Sequence, residues 1–180
     1  NKYPLTMLHP MMLEQSIHHL DLIRYCYGRE VEQVYCRTWN PEWSMYAYES
    51  NVSCLMTLAG GLEVNYLGTW TGGWNELQFE WRTDCRDGVI IQRELFDDLA
   101  VARTDDSALM PVSIDDCEPF YDDTDALLSA FVEHLRNDAP LACSGADHLR
   151  TLALCFAAIE SSESGRAVDM AEFERRYDIG

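Results

Sequence analysis

Lysine is almost missing from this chain. Lys2 is the only one among 180 residues, and the other basic side chains are arginines. Chemistry that needs a lysine inside the domain therefore cannot be housed here. Positive charge is scarce altogether, with 13 basic against 31 acidic side chains and a formal net charge of −18. The resulting pI is near 4.4. A surface of that sign repels phosphate backbones and anionic lipid, which argues against nucleic-acid and membrane-surface roles. Long apolar runs are also absent. The longest, Leu152 to Ile159, falls far short of the roughly 20 residues of a spanning helix. No basic stretch followed by an apolar block marks a signal peptide. Asn1 rather than Met opens the sequence, so the natural start is expected upstream.

Cysteine is plentiful but unorganised. The 7 cysteines include no C-x-x-C and no Cys/His pair at zinc-finger spacing. Cys26, Cys36, Cys54 and Cys155 fall inside apolar patterns, where thiols act as small core residues. Free thiols imply a reducing, cytoplasmic compartment. Asn51-Val52-Ser53 matches a glycosylation sequon, which in that compartment is coincidence.

What is present is a core. The chain is 47% hydrophobic with 5 Trp, 9 Tyr and 6 Phe, enough for one globular domain. Residues 12–27 read as a helix that stops before Gly28, with Leu13, Ile17, Leu20, Arg24 and Tyr27 at helical spacing and Ile23 widening the stripe. From Val31 to about Pro111 the period switches to two. Val34 to Cys36, Val52 to Leu58 and Leu62 to Tyr66 are strands, with Gly60-Gly61 a hairpin turn. Leu77 to Arg82, Val89 to Leu95 and Leu99 to Arg103 continue the series. Helices return at Asp122 to Leu135 and from Ser144, a plausible N-cap, to about Ser161. Strands in one run and helices in others predict an α+β fold: an open, mainly antiparallel sheet with helices on one face.

The chemically informative stretch is Leu13 to Asp21. Glu14, His18 and Asp21 stand four and three residues apart, so they share one helical face. That face lies about 100° from the apolar stripe. A carboxylate one turn from an imidazole can fix its tautomer or share its proton, as a general acid/base requires. The competing reading is an ordinary solvated helix face. His19 is the rival histidine and points about 100° away. His9, His134 and His148 have no partner at useful spacing and are expected on the surface or in loops. Adjacent histidines on a helix diverge, so no metal site is expected at His18, His19 and Asp21.

The run LEQSIHHLDLIRYCYG, a strand, NPEWSMY, the hairpin AGGLEVNYLGTW, an acidic-aromatic strand and DGVI together resemble one family. The tail agrees: Asn137 to Pro140, Ser144 to Asp147, a long helix, then Ser161, Gly165 and Val168. The chain is similar to the C-terminal domain of glucose–fructose oxidoreductase/inositol dehydrogenase (Gfo/Idh/MocA) enzymes, a dihydrodipicolinate-reductase-like fold, across essentially residues 1–180. In that resemblance Glu14, His18, Asp21 and Gly28 fall on motif positions. His18 is implied as the acid/base that handles the substrate hydroxyl proton while hydride moves to or from a nicotinamide. Glu14 replaces the usual Asp, and Ser16 stands where many members have Gly.

The resemblance further implies NAD or NADP as cofactor, held mainly by an N-terminal Rossmann domain outside this chain. No G-x-G-x-x-G occurs here, and the family's catalytic lysine in Glu-Lys-Pro has no counterpart. The expected substrate is a sugar, cyclitol or related polyol, with Trp70, Trp74 and Tyr66 as substrate-binding candidates and Trp43 as a further stacking ring. Such aromatics serve more often as sheet core or dimer contact. Association into a homo-oligomer through the sheet is expected. So are inactivity and no dinucleotide binding for the 180-residue chain alone. A non-catalytic ligand-binding or assembly module of the same fold is the alternative.

Overall fold

The computed structural model describes residues 3–73, 78–114 and 117–179. It forms two compact units, one of residues 1–73 with 142–180 and the other of residues 74–141.

In the first unit a short helix, α1 (Tyr3–Thr6), precedes a π-helical turn, Met11–Ser16, that runs directly into α2 (Ile17–Tyr27). Gly28 ends α2 in the left-handed region at φ 58°, with its N–H on the Arg24 and Tyr25 carbonyls. Strands β1 (Val31–Trp39), β2 (Asn51–Leu58) and β3 (Leu62–Thr69) follow. They pair antiparallel in the order β3-β2-β1, and Gly60 and Gly61, both at positive φ, turn the β2–β3 hairpin. Val34, Cys36, Val52, Cys54, Met56 and Leu58 are buried on one face. Helix α4 (Gly145–Ser164) packs there with Ala153, Leu154, Cys155, Ala157 and Ala158. The small residues let helix and sheet approach closely. Ser144 caps α4, its Oγ accepting from the Asp147 N–H at 3.1 Å. A two-residue strand, β8 (Val168–Asp169), joins the rim of β1 at Gln33 and Val34. Beyond it, Ser161 Oγ accepts from the Cys36 N–H at 2.9 Å and Ser162 Oγ from the Thr38 N–H at 2.8 Å. Helix α5 (Met170–Tyr177), capped by Asp169, closes the unit.

The second unit holds β4 (Trp81–Cys85), β5 (Gly88–Gln92), β6 (Leu99–Arg103) and β7 (Met110–Pro111), an antiparallel sheet in that order. Helix α3 (Asp122–Asn137) has no buried residue and exposes Leu128, Phe131, Val132 and Leu135.

The α+β class, the antiparallel pairing and the helix positions agree with the sequence reading. Four details differ. The strands fall into two four-stranded sheets. The strand read over 77–82 begins at Trp81, and Leu77 lies outside the described residues. Cys26, assigned to the core, is exposed, because α2 turns Leu20, Ile23 and Arg24 inward instead. The strand read over 89–95 ends at Gln92. His9 lies in a bend, as expected, 3.3 Å from Glu49 Oε2, within ion-pair range though too poorly aligned for a hydrogen bond.

Candidate functional site

The π-helical turn buries Met11, Met12 and Ser16 against β2 and β3, which seats the histidine helix on the sheet. Its wider i→i+5 winding changes the angular offset between Glu14 and His18 from that of a regular helix. Glu14 lies in this turn, half-buried, whereas His18 and Asp21 lie in α2.

The two neighbouring histidines have opposite environments. His18 is exposed. His19 is turned inward, with Nδ1 2.8 Å from Tyr66 Oη and Nε2 3.3 Å from Gln15 Nε2. Tyr66 donates its hydroxyl proton to Ser16 Oγ at 2.9 Å. Nδ1–H of His19 must then be the donor to Tyr66, and Nε2 the acceptor from the Gln15 amide. Burial, reinforced by the charge of His18, pushes His19 below the usual imidazole range. Burial also pushes the Tyr66 phenol up, so it keeps its proton.

Asp21 belongs to a different group. Its Oδ1 accepts from Thr151 Oγ1 and lies 3.6 Å from Arg24 Nη1. Arg24, only 6% exposed, also binds Glu30 through two nitrogens at 2.7 and 2.8 Å and Asp147 at 3.0 Å. The hydrogen bond from Arg24 holds the Glu30 carboxyl below the usual range. A cavity of about 500 Å³ opens beside this cluster, lined by Asp21, Arg24, Glu30, Cys143, Asp147 and His148. Neither His18 nor Glu14 lines it. The structure therefore joins Asp21 to Arg24, three residues on, and to Thr151, a partner 130 positions away that no local pattern reveals.

Of the aromatic candidates, Tyr66 is committed to His19 and Ser16. Trp70 packs against Tyr46, ring centroids 5.1 Å apart, and Trp43 is 80% exposed. Trp74 lies outside the described residues. Asn51 of the sequon is buried, its amide donating to Thr71 Oγ1 at 2.8 Å.

Among the described residues no three His, Cys, Asp or Glu side chains gather as metal ligands. No helix there is long and apolar enough to cross a membrane. A dinucleotide pyrophosphate needs a glycine-rich turn at a helix N-terminus. The first turns of α3, α4 and α5 instead carry Asp122 and Asp123, Asp147, and Glu172. The described residues do not fit that group.

No protein-family model matches the chain. It is 31% identical over 182 residues to the uncharacterised protein y4oX of Sinorhizobium fredii, covering 97% of this chain and 51% of that protein. Among solved structures it matches an oxidoreductase from Agrobacterium radiobacter in complex with NAD+, L-tartaric acid and magnesium. The TM-score is 0.78 and the identity 21%, over 96% of this chain and 52% of the other. An aldose–aldose oxidoreductase from Caulobacter crescentus, complexed with glycerol, matches at TM-score 0.70 and 16% identity, over 85% and 45%. A UDP-N-acetylglucosamine 3-dehydrogenase from Acidithiobacillus ferrooxidans gives TM-score 0.70 and 18% identity, over 86% and 47%. The chain has the fold of the C-terminal domain of Gfo/Idh/MocA-type oxidoreductases. The chain spans about half the length of the proteins it matches.

Proposed function

We propose that residues 1–180 are the C-terminal, substrate-binding and oligomerisation domain of a cytoplasmic NAD- or NADP-dependent oxidoreductase that interconverts hydroxyl and ketone on a sugar, cyclitol or related polyol. The observation that carries this reading is the contrast at the histidine pair. His19 has both ring nitrogens engaged, while His18 presents its imidazole at the surface on the same helix. Such a ring can take a proton from a substrate hydroxyl or return it. Glu14, one turn earlier, is the carboxylate assigned to orient it, and Asp21 anchors the helix through Thr151. The nicotinamide, held by a Rossmann domain upstream, supplies the hydride acceptor or donor.

Trp70, Trp74 and Tyr66, with Trp43, remain the rings proposed to meet a sugar, Trp70 from its packing on Tyr46. The free thiols fit a reducing compartment. The outer face of the first unit's sheet carries Leu55 at 52% and Leu67 at 69% exposure, which fits association through that face. One observation favours a non-catalytic assembly module: Asp21 is drawn into the Arg24 cluster.

Assaying the full-length protein on a panel of polyols with either dinucleotide separates the two readings. His18→Ala is expected to lower turnover about a hundredfold with dinucleotide affinity unchanged, the usual scale for a general acid/base. His19→Ala is expected to cost about tenfold. Equal and negligible effects from both would overturn the assignment. Calorimetry on the 180-residue chain should show no dinucleotide binding, and micromolar binding would place a cofactor site within it.

A further inference from the structure

Three hydrogen bonds meet around His19, and their donors can be ordered only one way once Tyr66 gives its proton to Ser16. The Gln15 amide donates to Nε2, Nδ1–H donates to Tyr66 Oη, and Tyr66 donates to Ser16 Oγ. The chain starts and ends on adjacent residues of the π-helical turn, Gln15 and Ser16, and passes through β3 in between. It is a closed loop of side chains that ties the turn to the sheet. Ser16 is fully buried, and Met11 and Met12 beside it are nearly so.

We propose that His19 is a positioning residue, locked as the Nδ1–H tautomer between Tyr66 and Gln15, and that this lock seats against the sheet the helical turn that carries the neighbouring His18. The inference rests on reading His18 as the proton carrier. The ionisable groups facing His19 are His18 on its own helix and Tyr66 from β3, with the buried thiols of Cys36, Cys54 and Cys155 interacting with Tyr66. With the Gln15 amide as it stands, protonating Nε2 would set two N–H donors against each other, so a second proton requires that amide to turn over. A cation on His19 would stand beside His18 as a like charge, and the neutral ring avoids that repulsion. The same ring meets Tyr66 edge-on, with centroids 5.6 Å apart and planes at 60°, which fixes its rotation as well as its proton.

Gln15→Glu tests the lock by reversing it, since a carboxylate accepts from Nε2–H and favours the imidazolium. Long-range proton–nitrogen NMR on the 180-residue chain reads the tautomer of each histidine directly. In the wild type His19 is expected as the Nδ1–H tautomer at neutral pH, and to take up its second proton only below the ordinary histidine range. In Gln15→Glu, His19 is expected to be doubly protonated at neutral pH. An Nε2–H tautomer, or a doubly protonated His19 at neutral pH, in the wild type would overturn the lock. Tyr66→Phe, which leaves Nδ1–H without its acceptor, gives a second variant if Gln15→Glu fails to fold. It is expected to yield a mixture of tautomers.

In the full-length protein both variants are expected to lower kcat about tenfold per active molecule and leave the KM for dinucleotide unchanged. Gln15→Glu is also expected to shift the pH profile of kcat/KM, which a purely structural loss would not move. A variant profile superimposable on the wild type would overturn the positioning role. A wild-type protein inactive on every polyol would strike the oxidoreductase reading instead, while the NMR result still decides the lock.

Discussion

Arg24 Nη1 donates to Thr151 Oγ1 at 2.7 Å, joining α2 to α4 across 127 positions of sequence. Thr151 in turn donates to Asp21, so one hydroxyl links the guanidinium to a carboxylate of its own helix. The guanidinium is buried, yet Glu30 and Asp147 remain about half exposed. The cluster thus satisfies a buried cation without burying its anions, which keeps its desolvation cost low.

Arg24→Met should therefore destabilise the protein by about 2–3 kcal/mol, less than a fully buried pair would lose, because Glu30 and Asp147 rehydrate. Arg24→Lys should recover little, since an ammonium cannot reproduce the two-nitrogen contact to Glu30. Denaturant melts of the three proteins give the comparison. A lysine variant as stable as the wild type would show that charge alone, not the fork, matters.

Stability should also fall with acid in two separate windows. His19 is lowered in the folded state, so below the ordinary histidine value of 6.5 the unfolded chain takes up a proton first and stability drops. Glu30 is lowered as well, so its contribution is complete above the ordinary glutamate value of 4.5 and is lost as pH falls through the folded value. His19→Asn should flatten only the upper window, and Arg24→Met only the lower. Thermal melts at intervals between about pH 8 and about pH 3 would reveal both slopes.

Gly68 is the glycine where close approach decides the residue. A Cβ there would meet the Cε of Met11 and lie 2.5 Å from Tyr66 Oη. The methionine end can move, but the tyrosine is held by Ser16 and His19. Gly68→Ala should cost about 1–3 kcal/mol through overpacking. It should also alter the His19 nitrogen signals. A stable variant with unchanged His19 resonances would refute this.

If the sheet face carries the oligomer, Leu67→Glu should lower the mass measured by sedimentation while leaving the circular dichroism spectrum intact. Leu67 and Leu55 lie on neighbouring strands of that face, where a carboxylate would be buried without a partner. An unchanged mass would send the search for an interface elsewhere.

The sequence makes the fold's local features legible because they are periodic or depend on one residue. Leu20, Ile23 and Arg24 turn inward as their spacing requires, Gly60-Gly61 turns the hairpin, and Ser144 caps α4. The His18/His19 divergence follows from the same helical geometry. Arg24 is the instructive case, since it sits in an apolar stripe and its partners Asp147 and Thr151 are invisible to any window. The His19–Tyr66 bond spans 47 positions and the His9–Glu49 pair links loops, so neither leaves a local trace. The π-helical turn, which buries Met11, Met12 and Ser16, leaves no signature in the residue spacing.

The hydroxyls of Ser161 and Ser162 have a further consequence. They occupy backbone donors of β1 where the two-residue β8 has already ended, so α4 finishes an edge that a strand left incomplete. A naked rim there would be a template for a strand of another molecule, the usual route into edge-to-edge aggregation. With side chains in place of a strand, the rim is blocked without offering a new one. Misassembly at this side of the sheet would first require α4 to peel away, which ties resistance to aggregation to the stability of a helix.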